Sequence, residues 1–371
     1  MRVYADYAAT APLSERVYDV LCRVSRDVFG NPSSAHSFGR EAAAVVERAR
    51  EQAAALLGCE PGEVYFTSGG TEADNLAVRS AAGGTILTSA IEHPAVLNSA
   101  NAYARKVIAV LPESSGAVAA DRLREETEAL SGVSLVSLMY ANNETGVIQP
   151  VREAAAAAHR AGALFHCDAV QGAGHVMPSV RELGCDMLSV SGHKFHAPKG
   201  IGALYIRKEI LDSIDPLLYG GGQERGMRSG TLPVPLIAAF GEACLEARET
   251  MAEHDRRVRK LRDQIEAELC TIPDSLVIGR GERMPGVLNI AFAGTYGENL
   301  MLLCDMRGVY LSTGSACHAG DDTPSHVLRA MEVPDEYLTS SVRISIGRYT
   351  TEEDAERIVE AVRDCVRLVR G

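Results

Sequence analysis

Lysine is scarce in this chain. Only five of its 37 basic residues are lysines (Lys106, Lys194, Lys199, Lys208 and Lys260), and arginine supplies the rest. No apolar run approaches the roughly 20 residues needed to cross a bilayer. The opening Met1-Arg2-Val3-Tyr4-Ala5-Asp6-Tyr7 has none of the apolar stretch of a signal peptide. These two absences predict a cytoplasmic location and no membrane partner. A formal charge of −12 leaves no basic surplus, which argues against nucleic acid as a partner. The nine cysteines are odd in number and no pair has CxxC spacing, so neither a disulfide framework nor a zinc site is expected, nor any other metal. Most of these cysteines are expected to be small buried hydrophobes. Repeats and low-complexity tracts are also missing.

What is present is ordinary for a folded protein. The 371 residues are 46% hydrophobic and 23% charged, enough chain for two domains with a large core. A helix is predicted from Ser34 to Leu57, with Phe38, Ala42, Val45, Ala49, Ala53 and Leu56 on its buried face and Gly58 as its stop. Strands and helices then alternate. Strands are read at Val64–Thr67, Ile86–Thr88, Val107–Leu111, Leu135–Tyr140 and Leu164–Asp168. Helices follow Gly70, Pro94, Asp121 and Val151. This alternation predicts an α/β fold with a mostly parallel sheet covered on both faces. From Leu236 to about Leu269 a long helix is expected as a bridge. Beyond it lie a strand at Val287–Phe292, a helix at Asn299–Met306 and a strand at Arg343–Ile346. A last amphipathic helix opens on the capping box Thr351…Asp354. The expected division is a large α/β domain over 13–247 and a smaller α+β domain over 248–371, joined by the N-terminal segment 1–12.

A lysine retained in an arginine-rich chain points to chemistry that arginine cannot do. Arginine is permanently charged, whereas a lysine amine can be neutralised and become a nucleophile. Lys194, in Ser191-Gly192-His193-Lys194-Phe195-His196, is the candidate, and Schiff-base formation with pyridoxal phosphate (PLP) is the natural reaction. The same segment also reads as a strand–turn–strand, with Met187–Val190 and Gly202–Ile206 flanking Pro198-Lys199-Gly200. A PLP enzyme needs an anion site. Gly69-Gly70-Thr71-Glu72 sits between strand and helix, where backbone N–H groups and the helix dipole would face a phosphate, or where Thr71 simply caps a turn. The pyridine nitrogen needs a carboxylate. Asp168 ends a strand, where α/β sheets bind ligands, though it could equally cap a helix. Gln171 could reach the ring oxygen. His93, before Pro94, could stack on the ring and shuttle protons, or be a loop histidine.

In this order the motifs resemble the cysteine desulfurases, PLP enzymes of the class-V aminotransferase group with fold type I. The resemblance runs through Tyr4-Ala5-Asp6-Tyr7-Ala8-Ala9-Thr10, Gly30-Asn31-Pro32-Ser33-Ser34, Thr67-Ser68-Gly69-Gly70-Thr71-Glu72, Glu92-His93 and Asn142-Asn143-Glu144-Thr145-Gly146. It continues through Asp168-Ala169-Val170-Gln171, Ser191-Gly192-His193-Lys194, Arg228-Ser229-Gly230-Thr231, Gly314-Ser315-Ala316-Cys317 and Arg343-Ile344-Ser345. It implies a seven-stranded-type sheet in the large domain and a homodimer. It also implies roles. Lys194 would hold PLP covalently. Gly70, Thr71, Ser191 and His193 would hold its phosphate, with Thr231 reaching in from the other subunit. Asp168 would face the ring nitrogen, Gln171 the ring oxygen, and His93 the ring face, with Asn143 alongside. Asn31 and Arg343 would bind the substrate carboxylate, a task that suits a bidentate arginine. Read alone, Arg343 is an edge-strand surface residue. Two departures, Ala197 where relatives often carry glycine and Gln223 where several carry histidine, touch no residue with an assigned role.

Cys317 lies in Ser312-Thr313-Gly314-Ser315-Ala316-Cys317-His318-Ala319-Gly320, too rich in small residues to pack a core, and reads as a loop thiol. The resemblance makes it the persulfide-forming nucleophile. The implied activity converts L-cysteine to L-alanine and passes sulfur to an iron–sulfur scaffold or another carrier. Selenocysteine lyase and a class-V aminotransferase are the alternatives on the same scaffold.

Overall fold

The structure is a computed structural model and describes residues 2–130, 132–313 and 324–371. The chain opens with β1 (Val3–Tyr4), α1 (Glu15–Asp27) and α2 (Ser37–Leu57). An alternating series follows: β2 (Val64–Thr67), α3 (Gly70–Arg79), β3 (Thr85–Ser89), α4 (Pro94–Tyr103), β4 (Lys106–Val110), α5 (Ala120–Ala129), β5 (Val133–Ser137), α6 (Val151–Arg160), β6 (Leu164–Asp168), α7 (Val180–Leu183), β7 (Met187–Ser191) and β8 (Gly202–Ile206). Then come α8 (Val234–Leu269), β9 (Ser275–Ile278), β10 (Val287–Phe292), α9 (Gly297–Met306), β11 (Val309–Tyr310), β12 (Ser312–Thr313), α10 (His326–Ala330), α11 (Asp335–Leu338), β13 (Ser341–Ser345) and α12 (Glu352–Arg370). Among the described residues no helix is long and apolar enough to cross a membrane.

Strands β2 to β8 form one seven-stranded sheet in the order β2-β8-β7-β6-β5-β3-β4. Its pairs are parallel except those of β8, which runs antiparallel to both β2 and β7. Every residue of β2, β3, β7 and β8 is buried, as expected of strands covered by helices on both faces. Chain order reverses between the adjacent strands β3 and β5, and the strand C-termini there open toward one side, the usual position of a ligand crevice. A four-stranded antiparallel sheet, β12-β13-β10-β9, lies apart from it.

Helix α8 serves both cores. Its first half (Ile237, Phe240, Cys244) packs into the core of the large sheet. Its second half (Val258, Leu261, Ile265, Leu269) packs with α12 and the small sheet. At 36 residues it is about 54 Å long, enough to reach across both. Val3 and Ala5 join the second core, and β1 pairs with β11, so the N-terminal strand packs with C-terminal elements.

Several sequence expectations need correction at their edges. The buried stripe of α2 runs through Ala42, Val46, Ala49, Ala53 and Leu57, one position on from Val45 and Leu56, which are only partly covered. Phe38 is exposed and stacks on Phe29 at 5.3 Å instead of entering the core. Strand β5 ends at Ser137 rather than Tyr140. Leu138 and Tyr140 still donate to His166 O and Asp168 O, but the chain there has begun to turn toward the site. The Thr351–Asp354 capping box and the Gly58 stop, with φ +73°, are both present. Of the eight described cysteines, five are buried and Cys22 and Cys270 are exposed.

Candidate active site

Ten of the thirteen residues singled out in the sequence line one cavity of about 320 Å³ at the carboxyl ends of the large sheet. Gly70 and Thr71 enter from the β2–α3 turn, and His93 from the turn after β3. Asp168 and Gln171 come from the end of β6, Ser191, His193 and Lys194 from the end of β7, Asn143 from the segment between β5 and α6, and Arg343 from β13 of the small sheet. Asn31 and Thr231 do not line it. Asn31 is exposed, its Oδ1 accepting from Ser33 N, and Thr231 is exposed on the loop after Gly230. That loop is pinned by the buried Arg50–Glu224 pair at 2.7 Å and by Arg228–Glu72 at 2.8 Å. The departure Gln223 helps to shape it, accepting from Gly230 N–H at 2.9 Å. Cys317 lies outside the described residues.

One end of the cavity is built for an anion. Helix α3 starts at Gly70, so the N–H groups of its first turn have no acceptor within the helix. Gly69 holds φ +153°, and a Cβ there would project toward Ser191 Oγ, 3.7 Å away. Behind it a Cβ on Gly202 would fall 2.8 Å from Gly69 Cα, so backbone packs directly on backbone. The result is a narrow cradle of N–H donors beside the hydroxyls of Thr71 and Ser191.

The cavity also presents a buried carboxylate that forms no ion pair among the described residues. It belongs to Asp168, which accepts Val170 N–H at 2.9 Å. Burial raises its pKa, while the Val170 N–H bond, then His93 and Lys194, pull it down. Beneath it runs a polar layer that sequence reading missed. His166 is fully buried, its Nδ1 2.9 Å from Ser137 Oγ and its Nε2 2.9 Å from Ser189 Oγ. Asp74, also buried, brings Oδ1 within 3.7 Å of that Nε2. Burial pushes His166 down to about 3, so it is neutral, and drives Asp74 well up, with Asp168 adding to the effect. Only the His-x-Asp spacing on β6, which puts His166 and Asp168 on one face, signals this layer in the sequence.

Lys194 sits on a 3₁₀ turn at Gly192–Lys194. Its amine donates to Ala8 O at 2.6 Å and Ala9 O at 3.0 Å. Gln171 Nε2 donates to the same Ala8 O at 3.0 Å, and Thr10 Oγ1 lies 3.1 Å from His193 Nδ1. Residues 8–10 thus wall the site. His93 caps α4, its Nδ1 accepting Ala95 N–H at 3.1 Å, which leaves Nε2 to carry the proton of the neutral ring. Burial lowers the pKa of His93, and of His193 to about 4.

Arg343 is 2% exposed, so it is no surface residue. Its Nη1 donates to Asn143 O at 3.0 Å and its Nη2 to Asp6 Oδ1 at 2.7 Å. Glu92, beside His93, is fully buried and accepts from Ser89 Oγ at 2.6 Å and Met139 N–H at 2.9 Å. Burial pushes its pKa from 4.5 up to about 8, and that of Glu144 to about 7.

The folded state therefore holds a proton on Glu92 that the unfolded chain releases near pH 4.5. This contribution to stability is complete below that pH and is lost as pH rises toward 8. Glu92→Gln keeps both acceptor contacts and cannot ionise. Its stability relative to the parent should rise by on the order of a few kcal/mol between pH 5 and pH 8.5, measured by urea denaturation of cofactor-free protein. A pH-independent difference would show that Glu92 titrates normally.

Residues 3–358 match the family model described as aminotransferase class-V, which sets the class of protein this fold and cavity define. Cysteine desulfurase IscS of Methanosarcina thermophila is 42% identical over 379 residues, covering 100% of this chain and 93% of that protein. A solved NifS-like protein superposes with TM-score 0.91 at 36% identity, over 99% of this chain and 100% of its own. SspA, solved in complex with cysteine, gives TM-score 0.81 at 33% identity, over 94% and 100% of the two chains. The chain belongs to the cysteine desulfurase family of class-V aminotransferases, whose members are PLP-dependent.

Proposed function

We propose that this cavity binds PLP and removes sulfur from L-cysteine, leaving L-alanine and a persulfide on Cys317. The carrying observation is the joint placement of one lysine amine, one buried carboxylate that forms no ion pair among the described residues, and one helix start around a single space. The donor set suits the cofactor at three points. The α3 cradle with Thr71, Ser191 and His193 suits a phosphate, Asp168 a protonated ring nitrogen, and Lys194 an aldehyde. SspA, a relative solved in complex with cysteine, supports the substrate.

When bound, PLP supplies an electron sink conjugated to the substrate Cα. The protein does the rest. Arg343 binds and orients the α-carboxylate. The amine of Lys194, once neutral, takes the proton from Cα. Asp168 would present its negative charge to the ring nitrogen. His93, neutral through burial, holds a proton at Nε2 beside the cavity. The Cys317 thiolate attacks the substrate sulfur. A new S–S bond forms, the Cβ–S bond breaks with its electron pair going to carbon, and a proton completes the alanine methyl. The persulfide then passes to an iron–sulfur scaffold or another carrier protein. In this reading the protein is a homodimer, Thr231 serves the partner's phosphate site, and the two domains meet near residue 247 within α8.

Purified protein given L-cysteine and a reductant should form alanine and sulfide. Cys317→Ser should retain the cofactor absorbance and lose sulfide release by about tenfold or more. Release at the parent's rate would remove Cys317 as the nucleophile.

A further inference from the structure

We propose that Asp6 is the resident counter-ion of Arg343, and that substrate binding exchanges one carboxylate for another on that guanidinium. This rests on reading Arg343 as the receptor of the substrate carboxylate. Three observations carry it. First, Arg343 is 2% exposed yet lines the cavity, so in the free enzyme its charge is cut off from water and needs a partner. Asp6 Oδ1 supplies one at 2.7 Å. Second, the guanidinium is not saturated. Nη1 is engaged by Asn143 O, but Nε is buried with no hydrogen-bond partner among the described residues. An incoming carboxylate that grips Nε and Nη2 side-on would satisfy the orphan and compete with Asp6 for Nη2. Third, the backbone around Asp6 is fixed while its carboxylate can leave. Asp6 O accepts Tyr4 Oη at 3.0 Å and Ala9 N–H at 3.1 Å, and Asp6 bridges to Ser345. Its side chain is 22% exposed, an open route to solvent.

The segment Asp6-Tyr7-Ala8-Ala9-Thr10 thereby gains a role. Its carbonyls hold the Lys194 amine, and its carboxylate keeps the substrate receptor charged, oriented and closed to weak anions. Substrate affinity is then the strength of the new carboxylate–guanidinium pair less that of the old one. Any ligand with an α-carboxylate should meet the same competition, including L-alanine, which has no thiol.

The test uses the holoenzyme and two measurements. Asp6→Asn keeps the shape and removes the competing charge. The KM for L-cysteine and the Kd for L-alanine, followed by absorbance titration, should both fall about fivefold, the upper range for a partly exposed ion pair. Without ligand, Asp6→Asn should melt below the parent, because Arg343 is left uncompensated, and saturating L-alanine should close that gap. Asp6→Glu, which keeps the charge, should stay near the parent in both constants. Unchanged or raised constants in Asp6→Asn overturn the exchange. Arg343→Lys separates this from the underlying reading. If its KM rises steeply while Asp6→Asn changes nothing, the receptor stands and the exchange fails. If Arg343→Lys leaves KM unchanged, both fail.

Discussion

Replacing Lys194 by alanine should abolish alanine formation, by about 10³-fold or more, together with the visible absorbance of covalently held cofactor. The structure explains why no other group can substitute. The lysine stands on a 3₁₀ turn whose Gly192 is so closely packed that a Cβ would fall 2.9 Å from Ala197 Cβ and 3.0 Å from Phe240. The turn cannot slide to bring another side chain forward. Of the four other lysines in the sequence, none lines the cavity. Lys194→Arg should fail equally, because a guanidinium stays charged and is no nucleophile. The fold should survive either change. The lysine is only partly buried, and the two carbonyls it contacts belong to a segment that Ser345 also holds, through Tyr7 N–H to Ser345 O and Ala8 N–H to Ser345 Oγ. Unaltered melting of the cofactor-free variant, with turnover and absorbance both gone, is the expected pair of results. Full turnover in Lys194→Ala would remove the lysine from the chemistry.

The frame of this site was readable because its strands are buried on both faces. Apolar runs such as Val64–Thr67 and Met187–Val190 have no alternation to confuse, and each ends where a residue with chemistry begins. Short elements were not readable. Strands β1, β11 and β12 hold two residues each, and β1 exists only because β11, about 300 residues later, pairs with it. Helix α1 does carry an apolar stripe, Val17, Val20, Leu21 and Val24, which faces the large core and which sequence reading missed. Side-chain partnerships across the chain were hidden for the same reason. Asp74, His166 and Ser189 meet only after α3, β6 and β7 stack, and Asp6 meets Arg343 across more than 330 positions. Asn31 was attached to the substrate by motif alone. The described chain leaves it exposed, its side-chain oxygen accepting the Ser33 N–H.

Asp168→Asn should lower turnover by about 10²- to 10³-fold while leaving the cofactor bound, which distinguishes it from the lysine variants. The amide is the same size and can still accept the Val170 N–H bond now made at 2.9 Å. What it loses is the negative charge that holds the ring nitrogen protonated. That charge is maintained against its surroundings. Burial raises the pKa of Asp168, and the neighbouring Asp74, if ionised, would raise it further. The opposing pull comes from the Val170 N–H bond, then from His93 and Lys194, and a ring cation in contact would add to it. Cofactor-free protein should therefore gain from Asp168→Asn as pH rises. A carboxyl whose folded pKa is raised contributes fully below its unfolded pKa of about 4 and loses that contribution above it, whereas an amide loses nothing. Lower activity with equal or greater stability at pH 7 cannot be put down to unfolding. It would assign the carboxylate to the ring rather than to the turn it caps. Retained turnover would assign it to the turn, since the Val170 bond is the one contact that both side chains make.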